Sequence, residues 1–388
     1  MNLTVQNIVV LLTAMLCAFL ITFTTTPIAR VLAFKLGAVD VPKDGRRMHK
    51  EPVPRMGGLA IFIGFIVTCL VFCDMSVPMV GMIGGGVLLI VTGILDDIYS
   101  LNAFLKLGLQ IISATIAAFS GNVINRITLF GSNVEFGTFS IPITVFWIVF
   151  LINATNLIDG LDGLSCGVSA ISACSMLLAS FFVDEATVTV ILMTGILAGS
   201  CIGFLPFNFN PAKIFMGDTG SMFLGFTLAV ISIQGFFKFH AVVSFCVPFI
   251  VFAVPLFDTA FAFIRRMAKG KSPFSADRGH IHHRLIDMGF NQKQSVMILY
   301  AICAILGTSA ILIIDGKIIG GISIIVAALG IFVLNWFFVN KSSETRSQTG
   351  LGLDCSGMPC KDTCDGFSCE GSPYKVQPQK KGESEENK

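Results

Sequence analysis

Apolar residues in this chain come in long runs, separated by short stretches where acids, amides, glycines and basic residues collect. A helix needs ~20 apolar residues to cross a bilayer. Runs near that length lie at 6–29, 57–73, 77–95, 103–120, 140–155, 164–183, 186–205, 219–237, 240–263, 295–314 and 317–339. The pattern predicts an all-α, polytopic integral membrane protein with about eleven transmembrane helices, and so two chain ends on opposite sides of the membrane. The first run begins near Val5 and continues past the length of a cleavable signal, so no separate leader is expected. After Asn340 the residues become Ser, Gly, Lys, Glu and Gln. That shift predicts a membrane domain over 1–340 and a disordered cytoplasmic tail over 341–388.

Composition agrees with the pattern. The 388 residues are 54% hydrophobic and 13% charged, against roughly 25% charged in a soluble chain. A net charge of +2 carries little information, and no nucleic-acid partner is expected. The placement of charge is informative. With the N-terminus outside, 23 Lys and Arg fall on the inner side and 3 on the outer, which predicts a cytoplasmic C-terminus in a plasma membrane. Eight cysteines lie in or beside apolar runs and read as small hydrophobes. Cys355, Cys360, Cys364 and Cys369 of the tail lack the paired spacing of a zinc site.

Four polar clusters fall on the inner side of this map. Asp96 and Asp97 end the third run, where acids oppose the helix dipole and so ask for a functional reason. Asn156, Asp159, Gly160, Leu161 and Asp162 follow the fifth run; Asp159 and Asp162 are three apart, on one face if helical. Their bland reading is a turn between spans, since Asn, Asp and Gly form turns. Asn208 and then Phe215-Met216-Gly217-Asp218 join the seventh and eighth runs; glycines and helix-start amides suit an anion, and a carboxylate there suits Mg²⁺ over phosphate. Hard oxygen ligands without cysteines favour Mg²⁺ or Mn²⁺ over zinc. Arg278, His280, His282, His283 and Arg284 form a basic loop suited to phosphate oxygens. Together the clusters point to phosphoryl transfer between a soluble donor and a membrane lipid. A transporter would place its acids near the bilayer midplane.

These motifs, Asp96-Asp97, Asn156-x-x-Asp159-Gly160-x-Asp162-Gly163, Phe215-x-Gly217-Asp218 and His280-x-His282-His283, closely resemble those of the polyprenyl-phosphate N-acetylhexosamine-1-phosphate transferases of glycosyltransferase family 4, from about residue 20 to residue 340. The His-x-His-His form is similar to the branch that uses UDP-GlcNAc and undecaprenyl phosphate to begin teichoic acid, O-antigen or other envelope glycans. The branch that uses UDP-MurNAc-pentapeptide carries three consecutive histidines, interrupted here by Ile281. The resemblance implies a helical bundle with a cytoplasmic catalytic cleft, working as a homodimer. It implies Asp218 as Mg²⁺ ligand with Asn156 as a second, and Asp96 and Asp97 as the essential acids, Asp97 meeting the lipid phosphate. Phe215 would stack on uracil, with Gly160, Leu161 and Asp162 at the pocket edge and Asp159 lining the cleft. Asn208 and Lys50 resemble nucleotide contacts, and His280, His282, His283, Arg278 and Arg284 would face the sugar and pyrophosphate. A non-catalytic lipid-linked transporter or scaffold is the rival from another class; none of the key acids is replaced, which argues against it.

Overall fold

The computed structural model describes residues 5–42, 51–129, 132–183, 187–237, 242–268, 270, 280–328 and 330. Its helices are α1 (Val5–Leu36), α2 (Gly58–Phe72), α3 (Val77–Tyr99), α4 (Ala103–Phe119), α5 (Ser140–Leu157), α6 (Leu164–Ser180), α7 (Val188–Asn208), α8 (Gly217–Ser232), α9 (Val242–Val251), α10 (Ala253–Ala268), α11 (Ile281–Asp287) and α12 (Gln292–Ile314). A further apolar helix covers Ile318–Ala328. Over its described residues each apolar run of the sequence falls on helix, and six helices among the described residues are long and apolar enough to cross a membrane. The protein is therefore a helical, multi-pass membrane protein. Others, such as Gly58–Phe72 and Ala103–Phe119, are apolar but shorter.

Two departures from the sequence pattern have physical causes. The run at 240–263, expected as one span, is two helices broken at Phe252. Pro255 lacks the N–H that would bond Val251, so the helix cannot pass through unbroken. Two small antiparallel ribbons also interrupt the all-α expectation: Val39–Asp40 with Val53–Pro54, and Arg126–Leu129 with Ser132–Glu135. Residues 341–388, Lys50 and Arg278 lie outside the described residues.

Helix α8 is the centre. Nearly every residue from Gly217 to Ser232 is buried, with α2, α3, α5 and α6 packed around it. It is apolar or small on all sides, as a helix enclosed by others must be. Helix α1 is its opposite: it packs on α7 and α2 and turns Val5, Val9, Leu12, Leu16 and Ile28 outward. Among lipids, apolar area gives helices little reason to associate, so contact rests on small residues that bring backbones together. A Cβ on Gly58 of α2 would lie 2.0 Å from Gly220 Cα, and one on Gly93 of α3 would lie 2.3 Å from Thr219 Cα. Both contacts grip the first turn of α8. The ends of α3 and α5 and the starts of α4 and α8 meet there, so the chain's path itself gathers the polar clusters at one end of the bundle.

Candidate active site

The first turn of α8 has backbone amides without intrahelical partners and no side-chain cap of its own. Asp97, in the last turn of α3, supplies one across the bundle. Its Oδ1 accepts from Asp218 N at 3.1 Å, and its Oδ2 accepts from Thr219 N at 3.2 Å and Thr219 Oγ1 at 2.7 Å. Arg55 Nε lies 3.6 Å from Oδ1, and the Asp97 side chain is 0% exposed. A carboxylate at a helix start also complements the dipole. Gly217 permits this approach: its φ is +71°, and a Cβ there would stand 2.4 Å from Asp97 Oδ2.

Asp218 points away from that cap. Its Oδ2 accepts from Lys106 Nζ, and its Oδ1 accepts from Asn156 Nδ2 at 3.1 Å. Asn156 also donates to Ser221 Oγ at 2.8 Å, and Arg55 stands 3.9 Å from Asp218 Oδ1. Asp96 completes the group: Oδ2 accepts from Lys106 Nζ at 3.0 Å and Oδ1 from Leu101 N at 2.8 Å. The ammonium of Lys106 thus bridges two carboxylates from different helices. Half-buried Asp159 lies near them in the α5–α6 loop. Desolvation first, then the Asp218 charge, pushes its carboxyl up to about 8. For Arg55, burial works against the charged form, but Asp97 and Asp218 outweigh it and raise its pKa. The cluster joins four acids with two cations in an otherwise apolar bundle.

The neighbouring loops are stitched together. Asp162 Oδ2 accepts from Asn210 Nδ2 at 2.9 Å and Ala212 N at 3.0 Å. Asn208, the last residue of α7, donates to Ile214 O at 3.0 Å, while its buried Oδ1 has no partner among the described residues. Phe215 is half-buried and its N–H donates to Pro54 O at 2.8 Å. Leu161 is buried in a cluster with Leu285, Val296 and Leu299, so it anchors the loop from beneath. Gly160 lies under His282: a Cβ there would meet His282 Nε2 at 2.4 Å. Within the histidine motif, His280 and His282 are buried, His283 is half-buried and Arg284 is exposed. Burial first, and then the neighbouring His283, brings His282 down to about 4, so it is neutral at physiological pH.

Of the residues singled out in the sequence, Asp96, Asp97, Asn156, Asp159 and Asp218 meet in one place. Asp162 and Phe215 belong to the adjoining loops and Asn208 to the end of α7, and His282 touches the same region through Gly160. Arg55 and Lys106 count in the sequence only as charges that set topology, yet both sit inside the acid cluster. Their signal was local: Lys106 is a lone cation on an apolar helix, and Arg55 lies just before Gly57-Gly58. Among the described residues no three His, Cys, Asp or Glu side chains form a ready-made metal site. Mg²⁺ does not require one, because it is usually held by one or two carboxylates together with substrate phosphates. The oxygens of Asp96 and Asp218 converge on the Lys106 ammonium.

Comparison with known proteins follows the same lines. A family model described as glycosyl transferase family 4 matches residues 79–236. A Bacillus subtilis protein named "Probable undecaprenyl-phosphate N-acetylglucosaminyl 1-phosphate transferase" is 39% identical over 79% of this chain and 86% of its own length. A Mycolicibacterium smegmatis protein named "Decaprenyl-phosphate N-acetylglucosaminephosphotransferase" is 34% identical over 80% of this chain and 85% of its own. An Escherichia coli O157:H7 protein named "Undecaprenyl-phosphate alpha-N-acetylglucosaminyl 1-phosphate transferase" is 29% identical over 79% and 85%.

Proposed function

The chain belongs to glycosyl transferase family 4, and from that premise we propose that it transfers N-acetylglucosamine-1-phosphate from UDP-GlcNAc to undecaprenyl phosphate. The products are undecaprenyl-diphosphate-GlcNAc and UMP, the first step of a cell-envelope glycan. The observation that carries this reading is the cluster of Asp96, Asp97, Asp159 and Asp218 with Arg55 and Lys106. Charges at the end of an apolar bundle are placed to meet a soluble pyrophosphate and a lipid headgroup together. The distribution of Lys and Arg supports a cytoplasmic active site in a multi-pass plasma-membrane enzyme.

In this reading the lipid phosphate attacks directly. A phosphate monoester has its second pKa near ~6 and is mostly a dianion at neutral pH, so it needs little help from a base. Its oxygen bonds to the β-phosphorus of the donor, the bond from that phosphorus to the bridging oxygen breaks, and UMP leaves with the electron pair. Asp97 makes a poor nucleophile because both its oxygens are engaged by α8 and its side chain is closed to solvent; it serves as a positioning residue. Arg55 and Lys106 hold the acids in place and offset negative charge. Asp218 would hold Mg²⁺ or Mn²⁺, with Asp96 and Asn156 beside it. The bound ion would supply charge stabilisation to the pyrophosphate.

The test is UMP release from a panel of UDP-sugars by the purified protein with undecaprenyl phosphate. UDP-GlcNAc should give lipid-dependent UMP and UDP-MurNAc-pentapeptide should not. Comparable turnover of the peptide-bearing donor would assign the other branch, and no lipid-dependent release from any donor would leave a scaffold or transporter.

A further inference from the structure

Helix α10 has its polarity reversed relative to a soluble helix. Phe257, Phe261 and Ile264 are exposed, while Asp258, Thr259 and Arg266 are buried. An acid inside a membrane protein is costly without a partner, and Asp258 has two. Its Oδ2 lies 2.9 Å from His280 Nδ1, and its Oδ1 accepts from Ile281 N at 2.9 Å. Both side chains are 6% exposed. His280 then stacks on His282 with ring centroids 5.7 Å apart and planes 8° apart, and His282 meets His283 at 4.3 Å. His282 in turn covers Gly160 in the loop that carries Asp159. A single buried carboxylate therefore fixes the first ring of a row, and the middle ring lies over Gly160, the residue after Asp159.

We propose that Asp258, through its bonds to His280 and the Ile281 amide, is a positioning residue for the phosphotransfer, and that it divides the histidine motif by role. His280 and His282 are the struts; His283 and Arg284 are the groups offered to the anionic donor. With Nδ1–H donating to Asp258, His280 keeps one fixed ring orientation. The same acid bonds the first N–H of α11, so the start of that helix and the ring are set together. The proposal rests on the transferase reading for its kinetic readout, and on the geometry alone for its second readout.

Two measurements decide it. In kinetics, Asp258→Ala should lower turnover about 100-fold while the KM for UDP-GlcNAc moves less than about threefold, and His280→Ala should do the same. The double variant should be no worse than the weaker single one, because both remove one coupled device. Asp258→Glu should recover part of the loss. Multiplicative losses in the double variant, a loss wholly in KM, or unchanged turnover in Asp258→Ala would overturn the proposal. In the second measurement, diethyl pyrocarbonate and mass spectrometry read histidine reactivity without any substrate. In the unmodified protein His283 should react and His280 and His282 should be protected. Asp258→Asn, which keeps the side chain's shape if the alanine variant does not fold, should expose His280. Continued protection of His280 in both variants would overturn the proposal, even in a protein that proves inactive on UDP-GlcNAc.

Discussion

Two helix starts carry the polar chemistry of this protein, and each is capped by an aspartate from a different helix. Asp97 of α3 caps α8, and Asp258 of α10 caps α11. Around α8 the fit is backbone against backbone: Gly58 meets Gly220, and Gly93 meets Thr219. Around α11 it is side chain against side chain, with His280, His282 and His283 in a row and His282 over Gly160. The first centre is a rigid part of the bundle's core and the second is an assembly of rings laid on its edge. The difference predicts that substitutions near α8 damage fold and chemistry together, and that those near α11 chiefly damage alignment.

The largest effect belongs to Asp218, which faces the cluster's interior without capping anything. Asp218→Asn should lower turnover by at least about 1000-fold with the fold retained, and raising Mg²⁺ should recover part of the rate; unchanged turnover would remove Asp218 from the site. Asp97→Ala should differ in kind. It leaves the α8 amides without an acceptor, so it should lose about 2 kcal/mol of stability as well as activity, seen as a lower thermal midpoint in detergent. A variant as stable as the parent would show that Asp97 is no cap.

Glycine substitutions sharpen the contrast. Gly93→Ala pushes a methyl into the α8 backbone, which cannot yield, and should cost about 1–3 kcal/mol with severe loss of turnover. Gly160→Ala meets only the His282 side chain and no backbone, so its stability loss should be smaller than that of Gly93→Ala. Equal destabilisation in the two variants would erase the distinction between the centres.

The second centre also carries a pH dependence of its own, through His282. His282 titrates at about 4 in the folded protein, below the ~6.5 of an unfolded chain. The unfolded state therefore takes up the proton first as pH falls. Stability from this group is complete above about pH 6.5 and is lost progressively towards about pH 4. The thermal midpoint should fall across that window, and His282→Asn should flatten the fall.

What the sequence made legible follows from the same contrast. The α8 centre is written in contiguous motifs, Asp96-Asp97 and Gly217-Asp218, because tight backbone contact needs glycine beside the acids. Long apolar runs likewise announce the spans, since lipid forces each one to be apolar over its whole length. Asp258 is harder to see. It is 22 residues from His280 and lies inside a run that reads as one span, where a single acid leaves hydropathy high. The break at Phe252 escaped for a related reason: Pro255 interrupts the helix without changing its apolar character. Arg55 and Lys106 read as topology charges because only the folded bundle brings them to Asp97, Asp96 and Asp218.

The central claim is direct transfer of a sugar phosphate to a membrane lipid, and UDP-GlcNAc labelled with ³²P at the β-phosphate tests it most directly. With undecaprenyl phosphate present, the label should move into the lipid fraction as unlabelled UMP appears; without it, none should remain on the protein. A hydroxylamine-labile label on the protein in the absence of lipid, lost in Asp97→Asn, would contradict the account and make Asp97 a nucleophile.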